Sequence, residues 1–138
     1  MDDPWARLAS ARVARLATIS ATTGAPHIVP ITFVADRERG VIVHAVDHKP
    51  KTTRALARIA NLRVDPHASI LADAYDDEDW SQLWWVRADG TARILDADAA
   101  HDLIDHLVDR YPQYVEHRPE GPVIVLDVES IRGWQATS

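Results

Sequence analysis

Two lysines stand immediately before a segment with helical patterning. Lys49 and Lys51 are the only lysines among the 138 residues, and they precede Thr52 and Thr53, where the helical pattern begins. The unpaired amide groups and the positive dipole end of a helix start favour an anion. From Lys49 to Arg63 the chain has five basic residues and no acidic one. This pattern predicts a phosphate site at Lys49, Lys51 and Thr52, the alternative being a solvated basic helix face.

Pro30 interrupts an otherwise regular strand pattern that runs from His27 to Asp36. Proline cannot donate to a strand ladder, so it indicates an edge strand or a bulge. Either arrangement leaves the backbone groups of Ile31 and Thr32 available to a ligand or another chain. From this residue alone, an ordinary edge strand is the favoured interpretation.

Trp84 and Trp85 are adjacent on a predicted strand. Neighbours on a strand point to opposite faces of a sheet, so both indoles cannot enter one core. We expect one indole to point inward and the other to lie against a helix, a bound ring or a second chain. Association of two chains explains an outward tryptophan well.

Other combinations of reactive residues are weak. His44 and His48 lie at a strand end, and His101 and His106 are five positions apart on a predicted helix, so neither pair suits one metal. The acidic segment 73–79 lacks the central glycine and final glutamate of a calcium-binding loop and reads as a solvated turn. Without cysteine, zinc ribbons and thiol catalysis are excluded. We therefore predict no metal site and no catalytic side chain, and expect a cofactor to carry any reaction.

Composition limits the class of protein. A chain of 138 residues has the length of one domain, and we treat residues 1–138 as a single domain. Its net charge of −6 argues against a nucleic-acid partner. No apolar run is long enough for a membrane span, and the acidic start, Met1-Asp2-Asp3-Pro4, is unlike a secretory signal. The expectation is a cytoplasmic domain with no membrane partner.

The hydrophobic pattern predicts about six antiparallel strands and three helices. The strands are expected at Val13–Ser20, His27–Asp36, Val41–Asp47, Ala68–Asp76, Trp80–Leu95 and Pro122–Trp134. The fifth is either one long bulged strand or a hairpin that turns at Asp89-Gly90. So many antiparallel strands in a short chain suggest a small closed or split barrel.

N-cap residues and apolar stripes in the sequence predict where the three helices lie. Asp3 and Pro4 predict a helix start, with the helix running to Ala11, and Asp96 is expected to cap the last helix. The middle helix begins at Thr52 and ends at Pro66. Its apolar stripe is predicted to contain Leu56, Ile59 and Ala60, with Arg54 and Arg58 off the stripe, and the last helix presents Leu103, Ile104, Leu107, Val108 and Tyr111.

Several segments together resemble a known family. "RVARLATIS", "GAPHIVPITFV", "GVIVHAVDHKPKTTRALARIANL" and "WWVRADGTARIL" are similar to the pyridoxamine 5'-phosphate oxidase-like flavoenzymes. "YPQY" and "GPVIVLDVESIRGW" resemble the probable F420-dependent branch, and the resemblance runs from Arg12 to Trp134. It implies a mainly β (α+β) fold, a six-stranded antiparallel split β-barrel with flanking helices. It also implies a homodimer that holds a flavin or deazaflavin in a groove between the chains.

The resemblance also implies which residues bind the cofactor. One strand would line the ring, the next would lie beside the ribityl chain, the basic loop would bind the phosphate, and an aromatic pair would reach over from the partner chain. The resemblance assigns Pro30, Ile31 and Thr32 to the ring, and His44, Ala45 and Val46 to the ribityl chain. It assigns Lys49, Lys51 and Thr52 to the phosphate, and Trp84 or Trp85 of the partner chain to the cover over the cofactor.

Departures from the family pattern narrow the expected activity. Trp85 stands where pyridoxamine phosphate oxidases carry a glutamine for the ring, and the longer substrate-binding C-terminal section of those enzymes is missing. The resemblance therefore implies hydride transfer between reduced F420 and a small organic acceptor. The alternatives are an FMN-dependent oxidase or reductase, a non-catalytic F420-binding or storage protein and, more distantly, a haem-binding split barrel. Thr32 and His44 are weak candidates for proton delivery, and neither is named catalytic.

Overall fold

The computed structural model describes residues 3–46 and 53–137. In these ranges the strands are β1 (Ala14–Ile19), β2 (Pro26–Ile31), β3 (Val34–Asp36), β4 (Val41–Ala45), β5 (His67–Ala74), β6 (Trp84–Leu95) and β7 (Val123–Gln135). The α-helices are α1 (Pro4–Ser10), α2 (Thr53–Val64), α3 (His101–Arg110) and α4 (Gln113–Glu116), and Trp80–Gln82 forms a short 3-10 turn. Within the described ranges, no helix is both long enough and apolar enough to cross a bilayer.

The strands form one antiparallel sheet in the order β2-β1-β5-β6-β7-β4-β3. The two edge strands, β2 and β3, follow each other in the chain and are joined only by Thr32 and Phe33. So short a link forces the sheet to curl until its two edges meet at this point. The edges do not pair with each other, so the sheet is an unclosed, split barrel with helices at its flanks.

The strand count differs from the expected six because the predicted strand His27–Asp36 is two strands. Its first part, β2, pairs with β1, and its last part, β3, pairs with β4. The break at Thr32 and Phe33 lets one run of chain leave one sheet edge and enter the other. Pro30 lies on the edge strand β2, as predicted from its missing donor.

The long strand β6 is continuous and does not turn back as a hairpin, and the extra residue of the bulge, Glu129, is on its neighbour β7. It pairs with β7 from Trp84 opposite Gln135 to Leu95 opposite Val123, with a register shift at Asp89 and Gly90. The bulge brings the two backbones so close that a Cβ on Gly90 would lie 2.0 Å from the Asp127 carbonyl oxygen. Glycine is therefore required there by close approach of the neighbouring strand.

Strand β4 is buried on both faces, which fits its continuous apolar run. Ile42 faces the barrel interior together with Leu16 and Leu126. Val43 faces the opposite way, into a second cluster beneath α3 that includes Leu107. His44 shares the interior side of the strand with Ile42, because side chains alternate along a strand.

Two predicted helix features are confirmed. The Asp3 carboxylate accepts a hydrogen bond from the Ala6 amide at the start of α1, and Leu8 of that helix is fully buried. The stripe predicted for the last helix is also found, with Ile104 and Leu107 buried in α3 and Tyr111 buried just after it.

Three details of the helices differ from prediction. Asp96 does not cap α3, because residues 97–100 form a turn first and Ala100 occupies the cap position. In α2, whose side chains the structure describes from Ala57 onward, Ile59 is buried as predicted, whereas Ala60 is exposed and Asn61 and Leu62 are buried. The side chains of Arg54 and Leu56 lie outside the described part of the helix. The short helix α4, after Pro112, was not expected.

A single hydroxyl fixes the link between the sheet edges. The Tyr111 Oη accepts a hydrogen bond from the Phe33 amide at 3.1 Å. It also lies 2.9 Å from the Phe33 carbonyl oxygen and 3.0 Å from the Arg12 carbonyl oxygen, and its one proton serves these acceptors. Phe33 is fully buried, so its amide has no access to bulk water. Helix α3 thereby holds the chain where it changes sheet edge.

We expect Tyr111→Phe to lower the free energy of unfolding by about 1–3 kcal/mol, because it leaves the buried Phe33 amide without its acceptor. Urea denaturation followed by circular dichroism measures the change. Tyr75→Phe is the matched control, since the Tyr75 hydroxyl donates to Asp77 on an exposed surface and should change stability little. Equal stability of the two variants would contradict the role given to Tyr111.

Candidate functional site

A cavity of about 200 Å³ lies where the split barrel remains open, and we call it the edge cavity. Six residues predicted to bind a cofactor line it together, and they are Pro30, Ile31, Thr32, His44, Ala45 and Val46. The remaining lining comes from three other parts of the fold, through Arg58 of α2, Tyr114 of α4 and Pro119. The structure therefore brings the two predicted cofactor strands to one place.

His44 is buried in the wall of the edge cavity with both ring nitrogens engaged. Its Nδ1 lies 3.0 Å from the Thr32 carbonyl oxygen, and its Nε2 lies 2.6 Å from Nη1 of Arg58. Arginine only donates hydrogen bonds, so Nε2 must accept and the ring proton must sit on Nδ1, where it is donated to Thr32. Burial, reinforced by the charge of Arg58, lowers the pKa of His44 from 6.5 to about 4. The ring is thus neutral near pH 7 and holds no proton directed into the cavity.

Arg58 is the one charged side chain among the described residues that line the edge cavity. The sequence pattern placed it off the apolar stripe of its helix without giving it a role in the site. A signal was present, because Arg58 belongs to the acid-free basic run that begins at Lys49. Its guanidinium lines the cavity wall, where Nη1 contacts His44.

Two hydroxyls meet in the same wall. The Thr32 Oγ1 and the Tyr114 Oη are 2.8 Å apart, and each has one proton, so the pair keeps one donor beyond the mutual hydrogen bond. Tyr114 packs edge-on against Tyr111, with ring centroids 5.7 Å apart. Sequence reasoning missed Tyr114 as a lining residue, although the segment "YPQY" that contains both tyrosines carried part of the family resemblance.

The predicted phosphate residues Lys49, Lys51 and Thr52 lie outside the described residues, so their assignment stays a prediction. In the chain they join Val46, which lines the edge cavity, to Thr53, where α2 begins.

Trp84 and Trp85 contact a different region, an open cavity of about 720 Å³ that we call the outer cavity. As predicted, the two indoles diverge. Trp84 packs against the interior core with the Arg7 guanidinium 5.3 Å from its ring centroid. Trp85 lies on the other face of β6, opposite Trp134 of β7. Within one chain, neither tryptophan lines the edge cavity.

The face around the outer cavity is apolar and exposed. Ile28 is 63% exposed and Trp134 is 46% exposed, and both line this cavity together with Leu71. The Arg15–Asp73 ion pair, 3.1 Å long, lies in the same lining. Large apolar side chains gathered on one sheet face are typical of an interaction surface.

The described residues show no arrangement for metal chemistry. No group of three or more metal-ligating side chains gathers in the part of the chain that the structure describes. His44 is excluded as a proton donor to a ligand near pH 7, since its only ring proton is directed at the Thr32 carbonyl oxygen. What the edge cavity offers is apolar backbone walls, one guanidinium and a hydroxyl pair, which suit binding and orientation of a ligand.

The curled, split sheet with a cavity at its open edge defines the class of small split-barrel proteins. A family model described as pyridoxamine 5'-phosphate oxidase matches residues 5–135. The chain therefore belongs to the pyridoxamine 5'-phosphate oxidase family. None of the curated proteins matches the sequence.

Solved structures confirm the fold at low sequence identity. A conserved hypothetical protein from Mycobacterium tuberculosis is 23% identical with a TM-score of 0.72, the match covering 95% of this chain and 81% of that one. A heme binding protein from Mycobacterium smegmatis is 22% identical with a TM-score of 0.75, covering 98% and 53%. An FAD binding protein from Mycobacterium smegmatis is 21% identical with a TM-score of 0.63, covering 97% and 93%. This chain thus spans about half the length of the heme binding protein and nearly all of the FAD binding protein.

The low pKa of His44 predicts a specific pH dependence of stability. The unfolded chain binds a proton at this histidine below about pH 6.5, whereas the folded chain does so only near pH 4. Stability should therefore fall as the pH drops through this window, by about 3 kcal/mol from this residue. Urea denaturation at pH 4 to 7 measures the free energy of unfolding. His44→Gln should show a flatter profile across the same window, and identical slopes in the two proteins would contradict the assignment.

Proposed function

We propose that the protein is an oxidoreductase that binds F420 in the edge cavity and transfers a hydride between the reduced deazaflavin and a small organic acceptor. The observation that carries the proposal is the convergence of the two predicted cofactor strands on a cavity whose described lining holds one cation, Arg58. Membership of the pyridoxamine 5'-phosphate oxidase family supports a flavin-type cofactor. A neighbour of the same fold is described as an FAD binding protein, which agrees with this class of cofactor.

The lining of the edge cavity suits a planar ring with an anionic tail. Pro30, Ile31 and Val46 give apolar walls against which a ring can pack, and the Thr32–Tyr114 hydroxyl pair offers a donor to a ring oxygen. Arg58 gives the charge that a phosphate requires, and a guanidinium matches phosphate oxygens with paired donors. Lys49, Lys51 and Thr52 are proposed to join Arg58 in this role.

The bound deazaflavin would supply the hydride chemistry, and the protein's own residues would bind and orient it. Apolar packing against β2 and β4 would exclude water from one side of the ring, and Arg58 would contact the anionic tail. A proton needed by the acceptor comes from solvent or from the hydroxyl pair, since the His44 proton is committed to Thr32. No described side chain needs to act as a nucleophile.

The edge cavity is too small to enclose such a cofactor within one chain. Its volume is about 200 Å³, whereas sites for ligands of this size are roughly 300–1,000 Å³. Pro30 lines the edge cavity, and its cross-strand neighbour Arg15 lines the outer cavity, so the two cavities adjoin. We propose that a second copy of the chain covers the outer cavity and completes the cofactor site. Trp84 or Trp85 of the second copy would then cover the ring.

Two alternatives are separated by experiment. An FMN-dependent enzyme would use the same cavity, and a storage protein would bind F420 without turnover. The heme binding protein among the solved structures raises a third candidate. The engaged nitrogens of His44 argue against it, because the histidine in the described cavity wall has no nitrogen left for iron.

Titration with F420 and with FMN, followed by quenching of cofactor fluorescence, tests the proposal. We expect F420 to bind more tightly, and Arg58→Ala to weaken binding by about 1–3 kcal/mol through loss of a charge-assisted contact to the phosphate. The matched control is Arg63→Ala, which removes an exposed arginine from the same helix and should change the Kd little.

Three outcomes would each overturn part of this proposal. Tight FMN binding without F420 binding would overturn the choice of F420. An unchanged Kd in the double Lys49→Ala, Lys51→Ala variant would remove those lysines from the phosphate site. F420 binding without hydride transfer to any member of a broad acceptor panel would favour storage.

We expect sedimentation to give a particle of twice the 15.4 kDa chain mass at micromolar concentration. Trp85→Ser should weaken the dimer roughly thirtyfold or more, because a central interface tryptophan is commonly worth at least 2 kcal/mol. Trp80→Ser is the control, since Trp80 is 66% exposed and does not line the outer cavity. A monomeric wild-type protein would contradict the proposed interface.

A further inference from the structure

The contact between His44 and Arg58 has a fixed direction. Nη1 of Arg58 donates to Nε2 of His44 across 2.6 Å, and Nδ1 of His44 donates to the Thr32 carbonyl oxygen across 3.0 Å. The ring is thus anchored to the backbone at the end of the edge strand, and its second nitrogen faces the guanidinium. His44 is 5% exposed, so water does not compete for either contact.

We propose that His44 is a positioning residue that holds the Arg58 guanidinium in the wall of the edge cavity for an anionic group of the ligand. This inference rests on the proposed function for the identity of the ligand. An arginine side chain has many rotamers, and fixing it when the ligand binds costs conformational entropy. A contact that fixes one end of the guanidinium beforehand reduces this cost and leaves its planar donors in a set orientation.

The chemistry of His44 suits this role better than the alternatives at the same place. An aliphatic side chain would fill the volume but would accept no hydrogen bond from Nη1 and give none to Thr32. A neutral imidazole makes both hydrogen bonds at once. Among the residues that the structure describes, the groups placed against His44 are Arg58 from α2, the Thr32 carbonyl at the edge link, and the apolar Ile124 beside it on β7.

The test compares each cofactor with its phosphate-free counterpart, FMN with riboflavin and F420 with the bare deazaflavin. We expect His44→Leu to weaken binding of the phosphate-bearing ligand by on the order of tenfold, within the range for a charge-assisted hydrogen bond, and to leave the phosphate-free ligand nearly unchanged. His44→Gln, which keeps one acceptor and one donor, should restore most of the affinity. Thermal denaturation of both variants shows whether they fold.

A double-mutant cycle distinguishes positioning from an independent contact. If His44 acts through Arg58, then His44→Leu has no further effect on the Kd in an Arg58→Ala background. Additive losses, or an equal loss for the phosphate-free ligand, would overturn the proposal.

A measurement without any ligand keeps the inference separate from the proposed function. In ¹H–¹⁵N spectra of the free protein we expect the His44 ring to show the Nδ1–H tautomer. The Arg58 guanidinium should give resolved, slowly exchanging N–H signals that broaden in His44→Leu. If neither F420 nor FMN binds while these signals behave as expected, the proposed function fails and the positioning contact stands. Identical Arg58 signals in wild type and His44→Leu would overturn the positioning role itself.

Discussion

The structure depends on how two residues satisfy their backbone groups where the chain leaves one sheet edge and enters the other. At Thr32 and Phe33 no neighbouring strand is present to accept or donate. Side chains take over instead: the Tyr111 hydroxyl serves the Phe33 amide, and His44 donates to the Thr32 carbonyl oxygen. Because buried backbone groups without partners are costly, these two side chains determine whether the barrel can remain split at this point. The cavity exists because the edges approach here without pairing.

The side chains that hydrogen-bond to the backbone of Thr32 and Phe33 also position the polar groups of the edge cavity. A histidine needed to satisfy Thr32 has a second nitrogen, and that nitrogen faces Arg58 on α2. A tyrosine that follows α3 satisfies Phe33, and the short helix after it brings Tyr114 to the Thr32 hydroxyl. The groups that hold the edge link therefore also form the polar part of the edge cavity. Fold and site share these residues, so a change at either tyrosine or at His44 acts on both.

Most of the fold could be predicted from the sequence, and the predictions that were wrong have physical causes. Alternation and turn residues located the strands, and Pro30 indicated an edge strand correctly. The sequence did not reveal the break after Ile31, because each half of that segment keeps a strand pattern while pairing with a different neighbour. Asp96 looked like a helix cap, but one extra turn moves the start of α3 to His101.

The candidate site was predictable only in its strand residues. Six of the predicted residues line the edge cavity together. They could be predicted because strand alternation and the family resemblance both specify positions along the backbone. Arg58 and Tyr114 come from helices whose docking onto the sheet is a tertiary property, and no local pattern states which helix face meets the cavity. The position of Trp85 was predicted in part, because strand geometry required one outward indole without deciding which of the two tryptophans it is.

The proposed anionic ligand would have to be recognised locally, because the chain as a whole is acidic. The net charge is −6, and residues 64–86 contain six acidic residues and no lysine or arginine. At physiological ionic strength, interactions between exposed charges farther apart than about 8 Å are largely screened. A guanidinium in a partly buried wall is screened much less and acts in a lower effective dielectric than an exposed lysine. We therefore expect the orientation of this partly buried cation to matter more for the proposed binding than the sum of charges on the surface. In the proposed arrangement, the contact with His44 sets that orientation.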